Sequence, residues 1–185
     1  MTTEKDIIEA VKAGDIEKYS LLVAQHSEKI FALANSLLKN KEDAEEITQN
    51  TFLKAFQSLG SFRGDSKFSS FLYRICYNES INRIRSRKID VDIENVPLID
   101  TEINDGFFQI KQAEQKKFLT LAMKKLSPEY SMVLTLFYLE EQSQKEMVEM
   151  TGMSLSNIKV RLHRARISLA KELNKLLKEE VRNLY

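Results

Sequence analysis

Residues 140–171 read EEQSQKEMVEMTGMSLSNIKVRLHRARISLAK, a pattern that predicts two helices joined by a tight turn. Ser143 is placed to cap the first, and Glu146 three residues on completes an S-x-x-E capping box. The helix ends at Gly152, where glycine supplies the positive φ that a sharp helix-to-helix turn needs. Ser154 caps the second helix, along which Leu155, Ile158, Leu162, Ala165 and Leu169 form one apolar stripe. At about 100° per residue, Ser156, Val160, His163 and Arg164 point the other way, with Asn157 and Lys159 at the edges. Arg161 and Arg166 lie nearer the stripe. Between Leu155 and Lys171 there are five Lys or Arg and no Asp or Glu. A short helix, a Gly turn and a basic second helix are the parts of a DNA-binding helix-turn-helix. A plain helical hairpin with a solvated basic face fits the same pattern, so the rest of the chain has to decide.

The chain has 185 residues, 43% apolar and 30% charged, with only five Gly, two Pro and no Trp. Such a composition favours helix and allows one domain or two small ones, each with a thin core. The net charge of +1 implies no nucleic acid by itself. Its distribution says more: Arg83, Arg85, Arg87 and Lys88 cluster, as do the basic residues after Leu155, and acid gathers at residues 42–46. The single Cys76 can form neither an internal disulfide nor a four-cysteine zinc site, and its apolar setting reads as core. The polar N-terminus is no signal peptide, and no apolar run reaches membrane-spanning length. The expectation is a cytoplasmic protein.

Before the helix-turn-helix, residues 4–25 read as two short helices broken at Gly14-Asp15, and a third covers residues 27–38. The stretch EDAEEITQNTFLKAFQSL (42–59) is strongly amphipathic, with Ala44, Thr48, Phe52, Ala55, Phe56 and Leu59 as its stripe. Its acidic first turn suits the helix dipole; docking of a basic partner would account for the same residues. A loop follows at 58–67, and FSSFLYRICYNESINRIRSRK (68–88) reads as one helix. Its aromatics interleave with Arg and Asn, as on surfaces that stack unpaired bases, although Phe62, Phe68, Phe71, Tyr73 and Tyr77 at this periodicity more often fill a core. Residues 89–110 then hold six Asp or Glu and no Lys or Arg, interrupted by Pro97 and Gly106. They read as a flexible acidic linker or a weakly ordered arm. Helix resumes at Gln112, and Ser127-Pro128 restarts it with a cap and a proline at the first helical position. The fold class expected is all-α: a helical domain at 1–88, a linker at 89–111 and a second helical domain at 112–185.

No catalytic constellation appears. His26 and His163 lack partners at metal-ligand spacing, no glycine-rich phosphate loop occurs, and the acidic cluster has no matching set elsewhere. Neither an enzyme nor a cofactor nor a metal site is expected.

Three segments, DAEEITQNTFLKAF (43–56), SFRGDSKFSSFLYRICYN (61–78) and LSPEYSMVLTLFYLEEQSQKEMVEMTGMSLSNIKVRLHRARISL (126–169), taken in this order, resemble an extracytoplasmic-function sigma factor, the minimal two-domain branch of the bacterial sigma-70 family. The resemblance implies a subunit that binds core RNA polymerase, at the β′ clamp and β flap, and directs it to promoters. Asp43, Glu46 and Gln49 then match the positions that grip the clamp. Phe62, Arg63, Asp65 and Ser66 match the loop that captures a flipped base of the −10 element, with Lys54, Ser58 and Asn78 lining its pocket. Arg83, Arg85 and Arg87 would hold nearby duplex. Lys159, His163 and Arg164 match the −35-reading positions, and Ser156, Val160, Arg161 and Arg166 complete that helix's DNA set. The 89–111 linker would follow the RNA exit path. The resemblance also implies an anti-sigma partner, and neither an obligate homo-oligomer nor membrane insertion. Phe71 stands where the family usually has Trp, Asn82 where Asp is common, and Val148 where a small Ala faces the turn. The competing reading is a free-standing helix-turn-helix regulator, which would usually dimerise on a palindrome.

Overall fold

A computed structural model describes residues 3–87 and 112–183, and every regular element among them is helical. The N-terminal half holds α1 (Glu4–Lys12), α2 (Tyr19–Leu38), α3 (Lys41–Ser58) and α4 (Phe68–Arg87). The C-terminal half holds α5 (Gln112–Lys125), α6 (Pro128–Leu134), α7 (Gln144–Thr151) and α8 (Leu155–Asn183). The acidic linker expected at 89–111 lies outside the described residues.

The local chemistry sets most boundaries. Thr3 and Asp6 form a capping box on α1, and Asn40 caps α3 by accepting from the Asp43 amide at 2.9 Å. Ser127 and Pro128 start α6, the Ser143–Glu146 box starts α7, and Gly152 closes α7 at φ +71°. Two short helices expected across 16–38 are instead the single α2, preceded by a 3₁₀ turn at Ile16–Lys18. No Gly or Pro interrupts residues 16–38, and Leu22, His26, Ile30, Leu33 and Leu37 bury one continuous stripe. α4 buries more than one face, because α2, α3 and α7 all pack on it; Leu72, Tyr73 and Cys76 are each almost fully enclosed.

After α6 the chain widens into a π turn at Thr135–Leu139. The extra residue in that turn leaves Tyr138 and Leu139 exposed and turns Glu140 inward. Leu155, which the periodicity put on the apolar stripe of its helix, is exposed as well. On α3 the buried stripe runs through Ile47 and Thr51, while Thr48 sits at its edge.

The halves do not have separate thin cores. Leu22, Ile30, Leu72 and Tyr73 of one belong to the same apolar cluster as Met132, Leu136, Met147 and Ile158 of the other. α2 packs on α6 and α4 on α7. A smaller cluster of Phe118, Ala122, Leu173 and Leu176 ties α5 to the distal part of α8. Polar contacts cross between the halves too. The Lys39 ammonium meets the carbonyl oxygens of Met123 (3.3 Å), Lys124 (2.8 Å) and Leu126 at the end of α5, where the helix dipole favours a cation. Lys67 pairs with Glu146 at 3.0 Å.

Candidate nucleic-acid and polymerase interfaces

α8 carries the first interface. Ile158, Leu162 and Ala165 anchor it in the core, while Ser156, Lys159, Val160, His163 and Arg164 lie exposed on its outer face. Arg161 and Arg166 are differently engaged. Arg161 donates from Nε to Asn157 at 2.7 Å and pairs with Glu129 of α6. Arg166 donates to the Tyr138 hydroxyl at 2.8 Å and stacks over the rings of Phe137 and Tyr138 at 5.7 and 5.6 Å. Both brace the helix in the free chain.

The second interface lies between α3 and α4. Phe62 packs 5.7 Å from Phe68 and 5.1 Å from Phe71, centroid to centroid. Phe71, in place of the larger tryptophan, still closes this aromatic platform. Above it, Arg63, Asp65 and Ser66 project into solvent around Gly64, whose φ is +79°. Lys54 pairs with Glu79 of α4 at 2.7 Å, beside the exposed Asn78, and the Ser58 hydroxyl donates back to the Lys54 carbonyl. The Lys54–Glu79 pair joins the last turns of α3 to the middle of α4, while the Arg63–Ser66 loop spans the connection between the two helices. Arg83 pairs with Asp43 at 3.3 Å and with Glu46; Arg85 is exposed, and the Arg87 side chain lies outside the described residues.

The third surface is the outward face of α3. Glu42, Glu46, Gln49 and Leu53, spaced by three and four, are all exposed, so they line one side of the helix. Asp43 is not on it: the side chain is buried against Arg83. The sequence pattern missed this ion pair, since nothing local marks two residues 40 positions apart as partners. It also missed Leu53, 55% exposed, which with Ile16, Tyr19, Phe52 and Phe56 lines a shallow apolar groove. Among the described residues no group of His, Cys, Asp or Glu could hold a metal ion, and no helix is long and apolar enough to cross a membrane.

The three surfaces fall within the two segments that match known sequence families: sigma-70 region 2 over residues 22–89 and sigma-70 region 4 over residues 119–169. The ECF RNA polymerase sigma factor SigW of Bacillus subtilis is 31% identical, with 93% of this chain and 97% of SigW aligned. This chain belongs to the extracytoplasmic-function branch of the sigma-70 family. As a sigma factor it is a transcription-initiation subunit of RNA polymerase and not an enzyme, and a stand-alone regulator is not favoured. RNA polymerase sigma-H factor of Pseudomonas aeruginosa is 29% identical over 97% of this chain and 99% of that protein. Two solved structures share the fold. CnrH in complex with the cytosolic domain of CnrY superimposes with a TM-score of 0.63 at 23% identity, covering 91% of this chain and 96% of that one. RpoE of Bartonella quintana, in complex with the anti-sigma factor NepR, gives 0.62 at 24%, covering 85% and 98%.

Proposed function

We propose that this sigma factor divides promoter recognition between its halves, with a boundary in 89–111 separating 1–88 from 112–185. The exposed face of α8, Ser156, Lys159, Val160, His163 and Arg164, reads the −35 element in the major groove, which admits a helix. Arg161 and Arg166 orient that face and reach phosphates only by exchanging their present partners. The Arg63–Ser66 loop on its aromatic platform, with Lys54, Ser58 and Asn78 nearby, captures an unpaired base of the −10 element. Stacking there returns about 1–3 kcal/mol per base, against an unstacking cost of a few kcal/mol. Arg85 and Arg87 flank the adjoining duplex, and Arg83 joins them only by exchanging Asp43 and Glu46 for phosphates. Glu46 and Gln49 grip the polymerase clamp, Leu53 extends that surface as an apolar contact, and Asp43 supports it from beneath through Arg83. Region 4 meets the β flap.

The observation that carries this reading is the exposure of two separate polar surfaces, one on each half, while the halves share a core. The element names set their sites about 25 base pairs apart, roughly 85 Å of duplex. α4 and α7 are in direct contact, so both elements can be held only when the halves part. From Arg87 to Gln112 an extended chain reaches at most about 85 Å, which suffices. An anti-sigma protein that favours the packed arrangement would silence the factor, and the similar structure solved in complex with an anti-sigma factor supports looking for one. The working compartment is the cytoplasm, where polymerase is.

The test is run-off transcription with purified core polymerase on a pool of upstream fragments from the source genome. Specific transcripts that require the protein, initiating at a shared pair of elements, are expected. Tight binding to free duplex without polymerase binding or transcripts would overturn the reading in favour of a stand-alone regulator.

A further inference from the structure

We infer that α1, which precedes the segment matching region 2, is a brace that positions the base-capturing loop, with Lys12 and Glu4 as its positioning residues. The inference rests on the reading of residues 62–66 as that loop.

Two independent routes lead from α1 to the two ends of the loop. At the entry, the Lys12 ammonium donates to the Phe62 carbonyl oxygen at 2.8 Å and sits 5.9 Å from the centroid of the Phe62 ring. Glu9, one turn earlier, holds the same ammonium at 3.0 Å. At the exit, Glu4 meets His26 Nε2 at 2.6 Å, and the His26 ring packs edge-on against Phe68 at 5.7 Å. Phe68 in turn touches Phe62 and Phe71. The platform is therefore held from α1 at both ends of the loop.

α1 is rigid enough to serve. Its N-terminus is fixed by the Thr3–Asp6 capping box, and Ile7, Ile8 and Val11 are buried in the main cluster. The loop itself is exposed from Arg63 to Lys67. A segment of this kind loses conformational freedom when it closes on a base, and ordering it beforehand lowers that cost. Fixing one carbonyl at the loop's mouth and one ring at its base does this without touching DNA. It also gives a role to His26, which no metal or catalytic pattern explains.

The test uses holoenzyme on a promoter carrying 2-aminopurine in the −10 element, so that fluorescence reports the unstacked, captured base. Lys12→Met, which keeps the apolar stem, is expected to lower capture about three- to tenfold, and Glu4→Gln to lower it less. Polymerase binding, −35 duplex affinity and the melting midpoint should stay unchanged, and Lys12→Arg should restore capture. Asp65→Ala in the loop is the control. Capture reduced by Asp65→Ala but equal to wild type in Lys12→Met and Glu4→Gln would overturn the brace and spare the loop. Capture insensitive to Asp65→Ala as well would overturn both. A capture defect in Lys12→Met that tracks a fall in melting midpoint and is not rescued by Lys12→Arg would also overturn positioning.

Discussion

The hydroxyl of Tyr73, in the second turn of α4, donates to the carboxylate of Glu140, 67 residues later, at the end of the π turn in the other half. Both side chains are buried there, with Glu140 6% exposed, and Lys29 of α2 approaches the same carboxylate at 3.5 Å. A buried carboxylate needs such partners, so this contact fixes how the two halves meet. Tyr73→Phe removes the hydroxyl and leaves Glu140 with Lys29 alone. The expected loss is about 1–3 kcal/mol, read as a lower urea midpoint for the joint unfolding of both halves. A midpoint equal to that of the wild type would show that the contact does not hold them.

Alkaline pH should act on the same contact. Burial, followed by the bond to Glu140, pushes the Tyr73 phenol well above its usual range, and burial pushes the Cys76 thiol up to about 12. Both groups are neutral when folded. Their contribution is fully present below the unfolded values, about 8.5 for Cys and 10 for Tyr, and is lost as pH rises beyond them. Stability should therefore fall progressively above about pH 8.5, and more steeply above 10. Tyr73→Phe should flatten the upper part of that fall. Denaturation series from pH 7 to 11 on both proteins provide the check.

Gly152 closes α7 at φ +71°, and nothing lies within 4 Å of where a Cβ would stand. Gly152→Ala thus meets no steric wall and carries only the left-handed backbone cost, about 1 kcal/mol. The melting midpoint should drop by a few degrees while −35 duplex affinity changes little. A large loss of affinity at unchanged stability would mean that the turn angle itself is read out.

Arg164 and Arg161 separate recognition from support. Arg164 is exposed on the outer face of α8 and should lose about 1–3 kcal/mol of −35 binding on change to Ala, with stability untouched. Arg161 is committed to Glu129 and Asn157, so Arg161→Ala should lower stability first. Titration of each variant with −35 duplex, alongside thermal melts, distinguishes the two. The opposite ranking would mean that Arg161 leaves Glu129 to reach the DNA.

Local chemistry made much of this protein legible. The Ser143–Glu146 box, Gly152, Ser127-Pro128 and the three-four spacing of Ile158, Leu162 and Ala165 act over a few residues, so their signals survive in one dimension. The helix-turn-helix followed from them, and the motif order gave the family. Where a single helix meets several neighbours the signal fails. α4 reads ambiguously because three helices bury it from different sides, and Leu155 leaves the stripe that periodicity assigned it.

The sequence by itself determined the helical class, the caps of α6 and α7, the basic face of α8 and the kinship to sigma factors, because these depend on interactions within about one turn of chain or on motif order. The continuity of α2 and the π turn after α6 did not follow from it. The tertiary structure alone decided which polar groups meet. Asp43 is buried on Arg83, Lys12 holds the mouth of the 62–66 loop, and Tyr73 meets Glu140. Each of these pairs is brought together by packing across 40 or more positions. No local pattern encodes such a meeting, because its free energy comes from the burial that folding creates.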